Sequence, residues 1–240
     1  AWTIPDAIST TVKVRISDAS DVTVTDLSDA TFTILAGFTL SAPNGGEVWT
    51  VGASQNITWT TGGSVPNVKL EYSTDGGTTY PNVIVASTPN TGAFAWTIPD
   101  AISTTARIRV SDVNNADAND TSDANFKIRG AVTVTAPNGG EKWAIATPQT
   151  LTWTKVGSIA TVKLEYSTDG GATYPNQIAA SAVNGSNPGC TAPAGTGCFV
   201  WTVPNAPTTQ GRLKITDTND ATVFDTSDAT FSIRGSFVLT

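Results

Sequence analysis

The chain has 240 residues, of which 39% are hydrophobic, enough to build packed cores, and only 14% are charged. A net charge of −7 without a basic cluster argues against nucleic acid as a partner. There is no His and no Met, which removes the usual general base, the commonest transition-metal ligand and the easily oxidised thioether, and no apolar run approaches the ~20 residues of a membrane helix.

AWTIPDAISTT at 1–11 returns letter for letter at 95–105. SAPNGGEVW (41–49) likewise returns as TAPNGGEKW (135–143), and VKLEYSTDGGTTYPN (68–82) as VKLEYSTDGGATYPN (162–176), each about 95 residues on. A third block closes each unit: RISDASDVTVTDLSDATFTI (15–34), RVSDVNNADANDTSDANFKI (109–128) and KITDTNDATVFDTSDATFSI (214–233). The organisation expected is therefore residues 1–36 as the back half of a repeat, 37–131 and 132–235 as complete repeats, and 236–240 as the first strand of another. A half repeat cannot close a hydrophobic core. Either the chain is a window on a longer array or neighbouring copies complete one another, and the array is the simpler expectation.

Within the first complete repeat, FTLSA (38–42), NITWT (56–60), VKLEYST (68–74), NVIVAS (82–87), AFAWTIP (93–99), ARIRVSD (106–112) and NFKIR (125–129) alternate apolar with polar residues. That period of two predicts half-buried strands, and nothing in the repeat has a helical period. PNGG (43–46), TGG (61–63), STDGG (73–77) and TPNTG (88–92) supply the Gly, Asn and Asp that tight turns use. Seven antiparallel strands in such a length predict an all-β fold of tandem immunoglobulin- or fibronectin-like β-sandwiches. Linkers of roughly two residues, as in IRGAVTV, predict a stiff rod that advances roughly 40 Å per repeat.

Parity also assigns faces. Trp49, Trp59, Trp96, Trp143, Trp153 and Trp201 are expected in the cores. Lys69, Glu71, Arg107, Arg109, Lys127 and Arg129 take the opposite parity and are expected on the solvent side, where Glu71 can pair with Arg107 or Arg109 for a few tenths of a kcal/mol. Tyr80 and Tyr174 are read as packing at the sandwich edge or as sugar-stacking platforms.

Cys190 and Cys198 lie in GCTAPAGTGC, an insertion found only in the second complete repeat. A disulfide closing this loop implies an oxidising, extracellular setting; the other reading is two reduced thiols in a surface loop. The acidic hairpin is the one constellation that carries chemistry. Asp112, Asp120 and Asp123, and in the next repeat Asp217, Asp225 and Asp228, offer oxygens that suit Ca²⁺. Their spacing matches no EF-hand loop, however, and capping of nearby backbone N–H groups is the simpler reading, so no metal and no cofactor is expected. Asn56, Asn119 and Asn184 begin N-x-[ST] sequons. Glycoside hydrolysis needs two acids converging in a cleft, whereas Glu71 and Glu165 are expected on a flat outer face.

The combination of PNGGE-x-W, ITWT, VKLEYSTDGGTTY, FAWTIPD and the SDANFKI hairpin resembles the Ser/Thr-rich cell-wall-synthesis family named after fungal Kre and Knh proteins. The resemblance covers both complete repeats and the half repeat. It implies an extracellular, non-enzymatic, wall-associated or surface role, and carries no catalytic residues to transfer. The function expected is a structural component of an extracellular filament or surface fibre, with copies of itself or adjoining repeats as partners. The alternative is a carbohydrate-binding or adhesive array that contacts cell-wall or extracellular polysaccharide.

Overall fold

The structure, a computed structural model, describes residues 1–236. The strand expected at 236–240 thus lies, apart from Ser236, outside the described residues. All described regular structure is β, and among the described residues no helix is long and apolar enough to cross a membrane.

Residues 1–36 form β1 (Ser9–Val12), β2 (Arg15–Ser17), β3 (Thr25–Leu27) and β4 (Phe32–Ile34). β1 pairs with β4 and β2 with β3, in two separate two-stranded sheets. Trp2 meets Phe32 edge to face at 6.3 Å, yet Trp2 and Ile4 remain 60% and 64% exposed. Their counterparts Trp96 and Ile98 are 6% and 1% exposed. The sequence of these positions is the same, so the difference lies in the absence of an opposing sheet.

The repeat at 37–131 contains β5 (Gly37–Ala42), β6 (Val48–Thr50), β7 (Ser54–Gly62), β8 (Asn67–Ser73), β9 (Asn82–Pro89), β10 (Ala93–Thr97), β11 (Ser103–Asp112), β12 (Asn119–Thr121) and β13 (Phe126–Arg129). One sheet has the order β10-β7-β5 and the other β6-β13-β11-β8-β9, with β12 attached to β11. The repeat at 132–235 follows the same plan with β14 (Ala131–Ala136), β15 (Lys142–Ala144), β16 (Pro148–Val156), β17 (Thr161–Ser167), β18 (Asn176–Val183), β19 (Thr196–Thr202), β20 (Thr208–Asp217), β21 (Phe224–Thr226) and β22 (Phe231–Arg234). These are immunoglobulin-like β-sandwiches: two sheets, each with one face turned inward.

Two features differ from the sequence reading. The first strand of each repeat is divided. β14 pairs antiparallel with β16, the PNGG loop carries the chain across without reversing it, and β15 then runs parallel to β22, with Trp143 opposite Ile233. The all-antiparallel expectation is corrected accordingly. Glu71, expected on the solvent face, is 4% exposed, with Lys69 and Arg109 both closing on its carboxylate.

By compactness the chain divides into two units. One comprises Ala1–Trp49, Ser54–Thr97 and Ser103–Lys127; the other comprises Thr50–Ala53, Ile98–Ile102 and the chain from Ile128 onward. In the first, Trp49 packs on Trp96 and Phe126 with centroids at 6.1 and 5.1 Å, and Tyr72 packs on Trp96. The second repeats this cluster with Trp143, Trp201, Phe231 and Tyr166, beside the fully buried Trp153, Leu151 and Leu164. Such offset and edge-on aromatic pairs add to the burial of apolar area, which dominates sandwich stability.

Candidate functional site: the acidic hairpin and the repeat ends

The acidic hairpin is stitched to the start of its own repeat. Asp120 Oδ2 accepts the backbone N–H of Leu40 at 2.7 Å, so a carboxylate on β12 holds β5 of the facing sheet. Asp225 Oδ2 accepts from Val134 N–H at 2.8 Å in the same way. Ser122 Oγ donates to the Pro43 carbonyl at 2.7 Å and accepts from Ile108 N–H at 3.0 Å, and Ser227 does the same with Pro137 and Leu213.

Asp123 and Asn44 are joined reciprocally: Asn44 Nδ2 donates to Asp123 Oδ2 at 2.7 Å, and Asp123 N–H donates to Asn44 Oδ1 at 2.8 Å. Asp228 and Asn138 repeat the pair. The two oxygens of Glu47 accept the N–H groups of Asn44 and Gly45, both at 2.8 Å. PNGGE and TSDA-x-F are therefore two halves of one contact, separated by about 80 residues in sequence and joined in space.

Asp112 Oδ1 accepts from Asn114 N–H, and Asp217 Oδ1 from Asn219 N–H, both at 2.9 Å. The six calcium candidates are thus spread along the hairpin. No group of three acidic or sulfur ligands converges among the described residues. Each of these carboxylates is engaged in hairpin bonding or in joining the hairpin to the start of its repeat.

The STDGG turn is closed by its own side chains. Ser73 Oγ accepts from Gly77 N–H at 3.0 Å, and Asp75 accepts both the N–H and the hydroxyl of Thr79, at 3.0 and 2.6 Å. Hydrogen bonds from the Ser73 and Thr79 hydroxyls lower the Asp75 carboxyl to about 2.

Beyond the turn, Lys69 Nζ and Arg109 Nη2 reach Glu71 at 2.6 and 2.7 Å, and the Arg109 guanidinium sits 4.5 Å from the Tyr80 ring centroid. Burial by itself pushes the Glu71 carboxyl up, but its hydrogen bonds with Lys69 and Arg109 and their charges outweigh that and leave it lowered. In the second repeat Lys214 stands where Arg109 does and lies over Tyr174 and Phe224 instead, while Glu165 keeps Lys163 at 2.6 Å.

Sequence reasoning overlooked one pair. Asn90 Oδ1 accepts from Trp59 Nε1 at 2.7 Å and its Nδ2 donates to the Val65 carbonyl at 2.9 Å. Asn184 does the same for Trp153 and Ile159, at 2.7 and 3.0 Å. These asparagines satisfy the one polar atom of a buried indole. Their signal was an Asn recurring at one position in otherwise dissimilar loops.

Cys190 and Cys198 form a disulfide with Cα atoms 6.2 Å apart. The inserted loop is held to β19 by Asn187, whose Nδ2 donates to the carbonyls of Val183 and Cys198, both at 2.8 Å.

The ends of the repeats carry a further recurrent contact. In IPDAI the N–H of Ala7 bonds the Pro5 carbonyl, and that of Ala101 bonds the Pro99 carbonyl, each at 2.9 Å, so an Asp stands at the tip of a tight turn. Within the first compact unit Asp6 Oδ1 accepts from Ser64 N–H at 3.0 Å while Oδ2 accepts the Ser64 hydroxyl. Within the second, Asp100 Oδ1 accepts from Ser158 N–H at 2.9 Å and Oδ2 the Ser158 hydroxyl. The Ser64 hydroxyl and N–H lower the Asp6 carboxyl.

The residue before each serine is a glycine with positive φ, +99° at Gly63 and +80° at Gly157. A Cβ on Gly157 would stand 3.2 Å from Val51 and 3.3 Å from Asp100. The third copy of the turn carries Asn205 in place of Asp.

No protein-family model matches the chain, the wall-synthesis family included. No curated protein matches it. Among solved structures, it is similar to the fibronectin(III)-like modules of Clostridium thermocellum CbhA, with 14% identity over 82% of this chain and 94% of that one and a TM-score of 0.28. It is also similar to the titin domains Z1Z2 solved with telethonin (16% identity, 86% and 100% coverage, TM-score 0.27). The N-terminal four Ig domains of Dscam1 give 12% identity and a TM-score of 0.36 over 88% of this chain, which spans 51% of that fragment. Superpositions this loose carry no argument about function, and the sandwich assignment rests on the sheets described above.

Proposed function

We propose that this chain is a structural segment of an extracellular filament or surface fibre made of tandem immunoglobulin-like repeats. The observation that carries the reading is the Asp–Ser bond at the repeat ends. Asp6 with Ser64 and Asp100 with Ser158 use the same four atoms, the same turn and the same sequence separation of 58 residues. A carboxylate from one repeat, received by a glycine–serine turn of the following one, gives each junction a fixed chemical partner. An array whose purpose is mechanical continuity needs such a partner at every junction.

Three further features support the reading. The disulfide suits an oxidising, extracellular setting. The acidic residues serve hairpin bonding within each repeat, and the resemblance of the sequence blocks to a wall-associated family points the same way. Trp2, Ile4 and Ile16 present an exposed apolar face in the half repeat. The adhesive alternative calls for aromatic platforms aligned from repeat to repeat, and the exposed Phe224 corresponds to Asn119 in the preceding repeat.

Electron imaging of native material tests the proposal. Uniform unbranched filaments with an axial period of one or two repeats are expected. Separate short particles that bind polysaccharide would favour the adhesive reading instead.

A further inference from the structure

The three N-x-[ST] sequons stand in three different environments. Asn184 is 2% exposed, its Oδ1 is taken by the Trp153 indole and its Nδ2 by the Ile159 carbonyl. A sugar on that nitrogen has no space and would break the clamp on a buried tryptophan. Asn119 is exposed, but its Nδ2 donates to the carbonyls of Ala116 and Asp117 at 2.8 and 3.3 Å. Both amide hydrogens are thus engaged in holding the hairpin loop, and N-glycosylation would remove one of them.

Asn56 differs on each count. It is exposed on β7, and its carboxamide makes no hydrogen bond among the described residues. Strand alternation puts Thr58, the sequon hydroxyl, on the same outer face as Asn56. Its surroundings are small: Ala95 lies opposite Asn56 on β10, Ala93 lies opposite Thr58, and Ala42 of β5 pairs with Thr58 on the other side. No long or charged side chain occupies these cross-strand positions. The second repeat has Thr150 where the first has Asn56, so the feature belongs to one repeat and is not a structural requirement of the sandwich.

We propose that Asn56 is the N-glycan acceptor of this protein, and that Asn119 and Asn184 are not glycosylated. The inference rests on the extracellular reading above. The donor class is an oligosaccharide linked to a lipid through pyrophosphate, delivered by a membrane oligosaccharyltransferase. Nδ2 of Asn56 forms a bond to the anomeric carbon of the first sugar and the bond from that carbon to the pyrophosphate oxygen breaks. The lipid pyrophosphate leaves, and one amide proton passes to a base of the transferase. The product is a bulky polar group on the outer face of the β10-β7-β5 sheet, where it keeps that face from pairing laterally.

The test is site-resolved mass spectrometry of tryptic peptides from native material already imaged by electron microscopy. Cleavage after Arg15, Lys69, Arg109, Lys127, Lys163 and Arg212 places the three sequons on three different peptides. The expected result is a sugar series on the peptide 16–69, localised to Asn56, with the sequons of 110–127 and 164–212 bare. Thr58→Ala, which keeps Asn56 but destroys the sequon, is expected to abolish the modification. A bare Asn56 overturns the proposal, as does a glycan on Asn184 or one that persists in Thr58→Ala. If Asn56 is bare on material that images as fibres, the glycan reading fails and the fibre reading stands. A glycan at Asn56 on material that forms no fibre does the reverse.

Discussion

Asp120 accepts the backbone N–H of Leu40 across the two sheets of its sandwich, at 2.7 Å. Leu40 is 1% exposed, so this N–H has no access to water. Removing the carboxylate in Asp120→Ala leaves a buried donor without a partner, a loss of about 1–3 kcal/mol. Asp225→Ala should act similarly through Val134. Thermal unfolding reads both losses. The scatter of these carboxylates along the hairpins, with no group of three converging among the described residues, predicts that millimolar Ca²⁺ leaves the melting temperature of the unsubstituted chain unchanged; a rise would show that they bind the ion.

The Glu71 cluster predicts an acid limb to stability. The folded carboxyl is lowered, so its contribution is complete above the unfolded glutamate value of about 4.3 and disappears as pH falls through the folded value. Glu71→Gln removes the charge that Lys69 and Arg109 share and is expected to cost about 1–2 kcal/mol near neutral pH, because Arg109 retains part of its hydration. The deficit should shrink in acid, below the ordinary glutamate range, as pH falls through the lowered folded value and the native carboxylate protonates. Melting curves at neutral and at acid pH decide it, and an equal deficit at both would assign the loss to shape instead of charge.

Glu71 also marks where sequence reading stops. Alternation marked the strands and their inward-facing positions because it is a local pattern with a fixed period. Parity alone sends Glu71 to solvent, and only the fold closes Arg109 of the neighbouring strand, itself over the Tyr80 ring, onto its carboxylate. The aspartates were legible as a cluster, but their partners were not, since Leu40 and Asn44 lie 80 and 79 residues from Asp120 and Asp123. Three-residue strands such as β6 and β12 carry too few residues for a period to register. Asn90 read as part of the TPNTG turn and Asn184 as the start of a sequon, and their bond to an indole appears only once each loop is placed over the core.

Asn184→Ala therefore tests an interaction invisible in the sequence. The substitution leaves both the Trp153 Nε1–H and the Ile159 carbonyl without partners in a buried place, and a loss of about 2–4 kcal/mol is expected. Unfolding followed by tryptophan fluorescence measures it. Asn184→Asp retains the acceptor but not the donor, and should recover part of the loss.

The disulfide closes a short loop, with a sequence separation of 8. Chain-entropy reasoning for a loop of this length gives about 2–3 kcal/mol of stabilisation. The Cys190→Ser, Cys198→Ser double variant should lower the unfolding free energy of the 132–235 repeat by that amount, read as a drop in its denaturant midpoint. Asn187 already ties the loop to β18 and β19 through the carbonyls of Val183 and Cys198, so residual order is expected in the reduced protein. A loss well below the range would mean that these hydrogen bonds fix the loop without the sulfur bridge.

The Asp100–Ser158 contact is exposed, and hydrogen bonds at such sites contribute little to global stability because water replaces them readily. Its effect should therefore be local. In Asp100→Ala the Ser158 amide loses its acceptor, and its hydrogen exchange should accelerate while the melting temperature stays nearly constant. Gly157→Ala attacks the same place through the backbone: φ is +80°, and the new Cβ would crowd Val51 and Asp100, for about 1 kcal/mol of strain. If this contact gives each junction its fixed partner, both substitutions should make native filaments more flexible in electron images without changing their axial period. Ser158 exchange that is unaltered in Asp100→Ala would mean that the bond is not kept in solution, and the structural reading would lose the observation that carries it.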